Sequence, residues 1–121
     1  MATALMKVTD PDLPGQLAAA FDARRLRRRR SVSAGTLTLA DVTGYFARER
    51  PQDSQVKAAA LLSAADPGGR GVFRVFQVFL DEADRVCVDP SGAPYGRQVI
   101  ARGLDDELLG YLGGGDLLIF R

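Results

Sequence analysis

The residues best suited to chemistry in this chain are arginines. Six of them stand within the seven positions of RRLRRRR, which ends at Arg30, and the serine-containing stretch SVS follows. Guanidinium groups bind carboxylates and phosphates through paired hydrogen bonds. The stretch therefore predicts a contact surface for an acidic protein, and the phosphates of a nucleic acid are the alternative. The candidate partner-binding residues are these arginines together with one loop tyrosine: Arg24, Arg25, Arg27, Arg28, Arg29, Arg30 and Tyr95.

Two other features, at Ser31 and at Tyr95, have both a functional and a simpler interpretation. Ser31 directly follows Arg28, Arg29 and Arg30, a pattern that basophilic protein kinases accept. A phosphate there could fold back onto the arginines or weaken an electrostatic contact, whereas the simpler interpretation is an unmodified loop serine. Tyr95 lies in the segment GAPYG, which is either an ordinary hairpin loop or a loop that presents this ring to a partner.

Several classes of catalytic and metal-binding site are excluded by composition. The chain has no histidine, which excludes serine–histidine and cysteine–histidine nucleophilic sites and the commonest zinc ligand sets. The single cysteine, Cys87, lies between two valines and is interpreted as a buried small hydrophobic residue. The acidic run at Asp105 could bind a cation, but a helix start explains it more simply. We expect a protein that is not an enzyme and has no metal and no cofactor.

The stretch VFLDEADR, at residues 78–85, resembles the acidic box of the DEAD-box RNA helicases. The resemblance would give Asp81 and Glu82 the roles of the two carboxylates that serve Mg²⁺ and the attacking water. That family also requires a phosphate-binding loop with a Gly-Lys pair, and this chain contains no such pair. The stretch is therefore interpreted as a strand that ends in a polar turn.

Charge and composition suggest the setting of the protein. Residues 1–70 carry eleven basic and seven acidic side chains, whereas residues 71–121 carry five basic and eight acidic ones. This asymmetry would suit an acidic partner or self-association, although the two halves could also neutralise each other within one fold. There is no signal-peptide pattern and no apolar run near the roughly 20 residues of a membrane helix, so we expect a cytoplasmic protein without a membrane partner. Arginine outnumbers lysine fourteen to two, which indicates a GC-rich bacterial genome.

Two helices are predicted in the first half of the chain, after a flexible N-terminus of residues 1–11. The recurrence of Leu13, Leu17 and Phe21 predicts a helix over residues 12–28, with the last arginines beyond the core. Thr38 is the predicted N-cap of a second helix, which should end at or before Arg50 because Pro51 follows. The segment from residue 53 to 65 is ambiguous: its alanines favour a third helix, and a buried strand is the alternative.

The remainder of the chain predicts a β-meander with one inserted helix. Strands are expected at residues 72–80, 86–88 and 97–102, a helix begins at Asp105 and stops at the glycines that start with Gly113, and DLLIFR forms a last strand. The predicted fold class is therefore α+β. Two or three N-terminal helices precede a small, mainly antiparallel sheet of three to four strands with one inserted helix, in a single domain of residues 1–121.

Two functions are compatible with these features. The first is a non-catalytic interaction, regulatory or assembly module that binds a protein with an acidic surface or a second copy of itself. The second is a winged-helix-like nucleic-acid-binding protein in which residues 53–64 form the recognition helix and the arginines contact phosphates. Its candidate contacts would be Gln52, Ser54, Gln55 and Lys57.

Overall fold

The computed structural model describes residues 7–22, 31–65 and 72–121. These residues form three helices, which are α1 (Leu13–Asp22), α2 (Leu39–Arg48) and α3 (Asp106–Leu112). They also form five strands, which are β1 (Ser31–Leu37), β2 (Ala58–Ala65), β3 (Phe73–Leu80), β4 (Gly96–Leu104) and β5 (Leu117–Phe120). The arginines from Arg24 to Arg30 lie outside the described residues.

All five strands join one mixed sheet in the order β1-β4-β3-β2-β5. The central pairs, β4 with β3 and β3 with β2, are antiparallel, and β5 runs antiparallel to β2. Only the pair of β1 with β4 is parallel among the described strands, with Ser31 opposite Gln98 and Leu37 opposite Leu104. The predicted α+β class and mainly antiparallel sheet are confirmed, whereas the predicted order of helices before strands is wrong. The predicted number of three to four strands is also wrong, because the described residues form five.

Helix α1 covers one face of the sheet. Leu13, Leu17 and Phe21 recur every fourth residue and are buried, because side chains at that spacing share one face of a helix. Phe21 stacks on Phe76 of β3 with ring centroids 6.0 Å apart. Val8 is buried beside this core, and its N–H donates to the carbonyl of Asp84, so part of the expected flexible N-terminus packs against the sheet. The predicted continuation of the helix to Arg28 falls outside the described residues.

Helices α2 and α3 contribute to the core on the opposite face. As predicted, Thr38 is the N-cap of α2, and its hydroxyl accepts a hydrogen bond from the Asp41 N–H at 3.1 Å. Asp105 caps α3 in the same way by accepting from the Leu108 N–H at 2.8 Å. Gly113 ends α3 in the left-handed conformation that glycine adopts readily. The helix start at the acidic run and the helix stop at the glycines are thus confirmed.

The helix favoured for residues 53–65 is wrong, because Ala58–Ala65 is a strand. Its alternate residues face opposite cores, with Ala60 and Leu62 on the α1 side and Ala59 and Leu61 on the α2 side. A strand that pairs on both edges and is covered on both faces is apolar throughout, so its sequence resembles a buried helix. Tertiary pairing with β3 and β5 outweighs the helical propensity of alanine.

Two further differences concern the strands. Val86–Val88 is not a full strand, since Val86 and Val88 each form only an isolated bridge, to Leu80 and to Pro94. The parallel strand β1 is not predicted at all. The stretch after the DEAD-box-like strand is a polar turn as expected, with Asp81 Oδ1 accepting from the N–H groups of Ala83 and Arg85.

Candidate functional site

The outer side of β1 is an open strand edge. The Leu37 carbonyl accepts a hydrogen bond from the Asp105 N–H at 3.0 Å, so the backbone of Leu37 faces β4. The N–H and C=O of one strand residue point to the same side, and successive residues alternate. The neighbouring residue Thr36 therefore directs its backbone groups away from β4. No described strand pairs with β1 on that side.

A groove of about 380 Å³ lies beside this edge, between the start of β1, the start of β4 and the C-terminal half of α2. Its polar lining comes from distant parts of the chain, and an adjoining depression extends it along β1 towards Leu37. The groove is lined by Val32, Tyr45, Arg48, Glu49, Tyr95, Gly96 and Arg97.

Arg97 is fixed in the groove by a side chain beneath it. Its Nε donates to Oε1 of Gln77 at 2.7 Å, and Nε2 of the same Gln77 donates to the Val42 carbonyl at 3.1 Å. Gln77 has 0% exposure and lies in the middle of the central strand β3. The Arg97 guanidinium also lies 4.2 Å from the ring centroid of Tyr45, a cation–π distance. These contacts hold the Arg97 guanidinium in one orientation.

The charge of Arg97 is not paired with a carboxylate of the described residues. Its guanidinium and that of Arg48 form no ion pair within 4.0 Å with any residue that the structure describes, although Asp41 and Glu49 also line the depressions. The pKa of Arg97 is lowered, mainly because the guanidinium is partly buried. The positive charge of Arg48 also lowers this pKa, whereas Tyr45 and Asp41 raise it. Burial and a neighbouring cation both disfavour the charged form of Arg97, and a bound anion would favour it.

Sequence reasoning found only one member of this groove. Tyr95, predicted as a partner contact, lines it and packs against the α2-side core, while the loop before it closes a hairpin through the bridge of Val88 to Pro94. Arg48, Arg97 and Gln77 were not predicted. The signal that could have found them was Gln77, the one uncharged polar residue in FRVFQVFL, because a buried polar side chain needs a specific partner.

The other sequence candidates lie elsewhere. Cys87 is buried as expected, and burial raises the pKa of its thiol to about 11. The recognition helix predicted for the winged-helix interpretation is not formed, because Gln52, Ser54, Gln55 and Lys57 precede strand β2. The six candidate arginines from Arg24 to Arg30 are outside the described residues, although Arg30 directly precedes Ser31, the first residue of β1.

Comparisons with known proteins do not assign the chain to a family. No protein-family model matches it, and neither a curated protein nor a solved structure shows significant similarity to it. None of the described helices is both long and apolar enough to cross a membrane. Within residues 7–22, 31–65 and 72–121, no group of three or more histidine, cysteine or acidic side chains is arranged to hold a metal ion.

Proposed function

We propose that this protein is a non-catalytic interaction module that binds an extended acidic segment of a protein partner along the open edge of β1. The partner segment adds a strand to the sheet, and one of its carboxylates lies between Arg97 and Arg48. The observation that carries this proposal is the guanidinium of Arg97, which forms no ion pair with a described residue and is held on a neutral buried glutamine beside the edge of β1 where no described strand pairs.

The choice of glutamine beneath Arg97 supports a ligand anion. A cation that is partly removed from water is usually paired with a carboxylate of the same protein, because an unpaired buried charge is costly. Gln77 fixes the orientation of Arg97 without neutralising it, so the positive charge remains available. A carboxylate from a partner would complete the pair through two charge-assisted hydrogen bonds.

The composition of β1 supports strand addition. Exposed edge strands are normally protected by charged residues, proline or bulges. The strand SVSAGTL has no charge and no proline, and its pairing with β4 keeps one register from Ser31 to Leu37. Main-chain hydrogen bonds along such an edge give affinity, and side-chain pockets beside it give specificity. Val32, which is 40% exposed, lies at the junction of the edge and the groove.

A display experiment tests the proposal with random peptides in place of the natural partner. A library of random ten-residue peptides on phage is selected against the full-length protein, and the peptides recovered are synthesised and measured by calorimetry. We expect an Asp or Glu at one position, flanked by residues of high β propensity.

Arg97→Gln should weaken binding of the selected peptide at least about tenfold, since one charge-assisted bond contributes about 1.5–3 kcal/mol. Arg102→Gln is the control, because that arginine is exposed on the same strand and does not line the groove.

A second pair of variants tests the strand edge. Thr36→Pro removes a backbone N–H that points away from β4, so it should abolish peptide binding and leave the sheet folded. Thr36→Ala keeps the N–H and should bind normally. Selected peptides that bind equally well to Arg97→Gln and Thr36→Pro would refute the proposal. A wild-type protein that sediments as a dimer, with Thr36→Pro monomeric, would instead identify a second copy as the occupant.

A further inference from the structure

One glutamine joins the end of α1 to the start of β1. Gln98 is buried with 3% exposure, and its Nε2 donates to Asp22 Oδ1 at 2.9 Å and to Ser31 Oγ at 2.8 Å. The other carboxylate oxygen of Asp22 accepts from Arg74 at 3.0 Å. The hydroxyl of Ser31 is thus one of the contacts that hold the first residue of β1 against β4.

Ser31 also has the sequence context of a kinase substrate. It is partly exposed, and the three residues before it are arginines. Basophilic protein kinases select serines with arginines at these preceding positions. Ser31 is the first residue of an edge strand, and the described residues pair that strand on one side only.

We propose that Ser31 is a phosphorylation site. Its phosphorylation detaches the start of β1 from β4 and thereby prevents peptide binding at the edge of β1. This inference rests on the proposed function, since it regulates the same edge. The Ser31 oxygen attacks the γ-phosphorus of ATP; a P–O bond to Oγ forms, the bond between the γ-phosphorus and its bridging oxygen breaks, and ADP leaves. The hydroxyl proton passes to the kinase base.

The physical consequence follows from what surrounds Oγ. Phosphorylation makes Oγ an ester oxygen, a weaker acceptor for the Gln98 amide, and adds between about −1.5 and −2 charges at pH 7. Asp22, which shares that amide and accepts from Arg74, is also negative. The buried Oε1 of Gln98 has no hydrogen-bond partner among the described residues, and a dianionic phosphate has no proton to donate to it. Repulsion from Asp22 therefore favours displacement of the phosphoserine from β4.

The test treats the full-length protein with ATP and the catalytic subunit of cyclic-AMP-dependent protein kinase. Mass spectrometry should locate one phosphate on Ser31, and Ser31→Ala should not acquire it, while Ser33→Ala should. Hydrogen exchange of the phosphorylated protein should show at least about tenfold faster exchange at the β1 amides that face β4. Affinity for the selected acidic peptide should fall at least about tenfold.

Two results would overturn the inference. One is a kinase that modifies a synthetic peptide of residues 24–33 and leaves Ser31 of the folded protein unmodified. The other is a phosphorylated protein in which β1 exchange and peptide affinity are unchanged. Failure of the unmodified protein to bind any peptide would refute the proposed function instead, and the exchange measurement would still test the release of β1. Gln98→Leu, which removes the amide without adding charge, should accelerate exchange at the same β1 amides.

Discussion

The backbone of Gly96 lies so close to that of Gln77 that a side chain on Gly96 would collide with it. A Cβ at position 96 would stand 1.9 Å from the Gln77 carbonyl oxygen, and Gly96 has a φ of 121°. This glycine begins β4 directly before Arg97, which pairs with Gln77 across the two strands. The close approach therefore fixes the two strands at the point where the Arg97 guanidinium is bound.

Gly96→Ala should destabilise the protein by about 3 kcal/mol or more, because the side chain meets backbone and the φ value is unfavourable for any residue with a Cβ. Gly103→Ala is the matched control on the same strand, where no described residue lies within 4 Å of the added atom. That control should change stability by less than about 0.5 kcal/mol or should stabilise the protein slightly. Urea denaturation measures both, and equal midpoints for the two variants would contradict the close contact.

The hydrogen bond between Arg97 and Gln77 should appear as an energetic coupling. Gln77→Leu leaves the Arg97 Nε without its acceptor and should lower the free energy of unfolding by about 1–3 kcal/mol. In a double-mutant cycle with Arg97→Ala, the coupling should be about 1.5–3 kcal/mol, the range for hydrogen bonds to charged groups. A coupling near zero would mean that Gln77 does not hold Arg97 in place for an anion.

We expect the buried thiol of Cys87 to lower the free energy of unfolding in alkaline solution. Burial, followed by the negative charges of Asp81 and Asp53, raises the pKa of its thiol from 9.0 to about 11. The folded state therefore retains this proton where the unfolded state has lost it, so the contribution of Cys87 is constant below pH 9 and decreases from pH 9 to 11. Urea midpoints across this interval should fall more steeply for the wild type than for Cys87→Val. Parallel curves for the two proteins would contradict the raised pKa.

Phe21 should provide a large part of the attachment of α1. Its side chain has 0% exposure and stacks on Phe76, so Phe21→Ala should cost about 3–5 kcal/mol through lost burial and the cavity left behind. Gln16→Ala, at an exposed position of the same helix, should stay within about 0.5 kcal/mol of the wild type. Thermal and urea denaturation give both values. A cost below about 1 kcal/mol at Phe21 would show that α1 packs only loosely on the sheet.

Local signals were sufficient for the capped helices and the central strand. The N-cap residues Thr38 and Asp105 act within three residues of the groups they bind, so their patterns can be recognised in a short window. The buried strand β3 has β-branched and aromatic residues on both faces, which local composition also reveals. The same local reasoning placed Tyr95 among the partner-contact candidates, and it excluded histidine-dependent chemistry from composition alone.

The sequence by itself determined which side chains are available and where helices α2 and α3 begin. Only the tertiary structure decided that the alanine-rich segment is strand β2 and that Ser31–Leu37 is an edge strand, because each gains its hydrogen bonds from distant residues. It also decided the candidate site. Gln77 and Arg97 are 20 residues apart and meet only through the register of β3 and β4, and Arg48 joins them only because α2 packs beside that edge. Such juxtapositions depend on non-local pairing, for which no short stretch of sequence carries a signal.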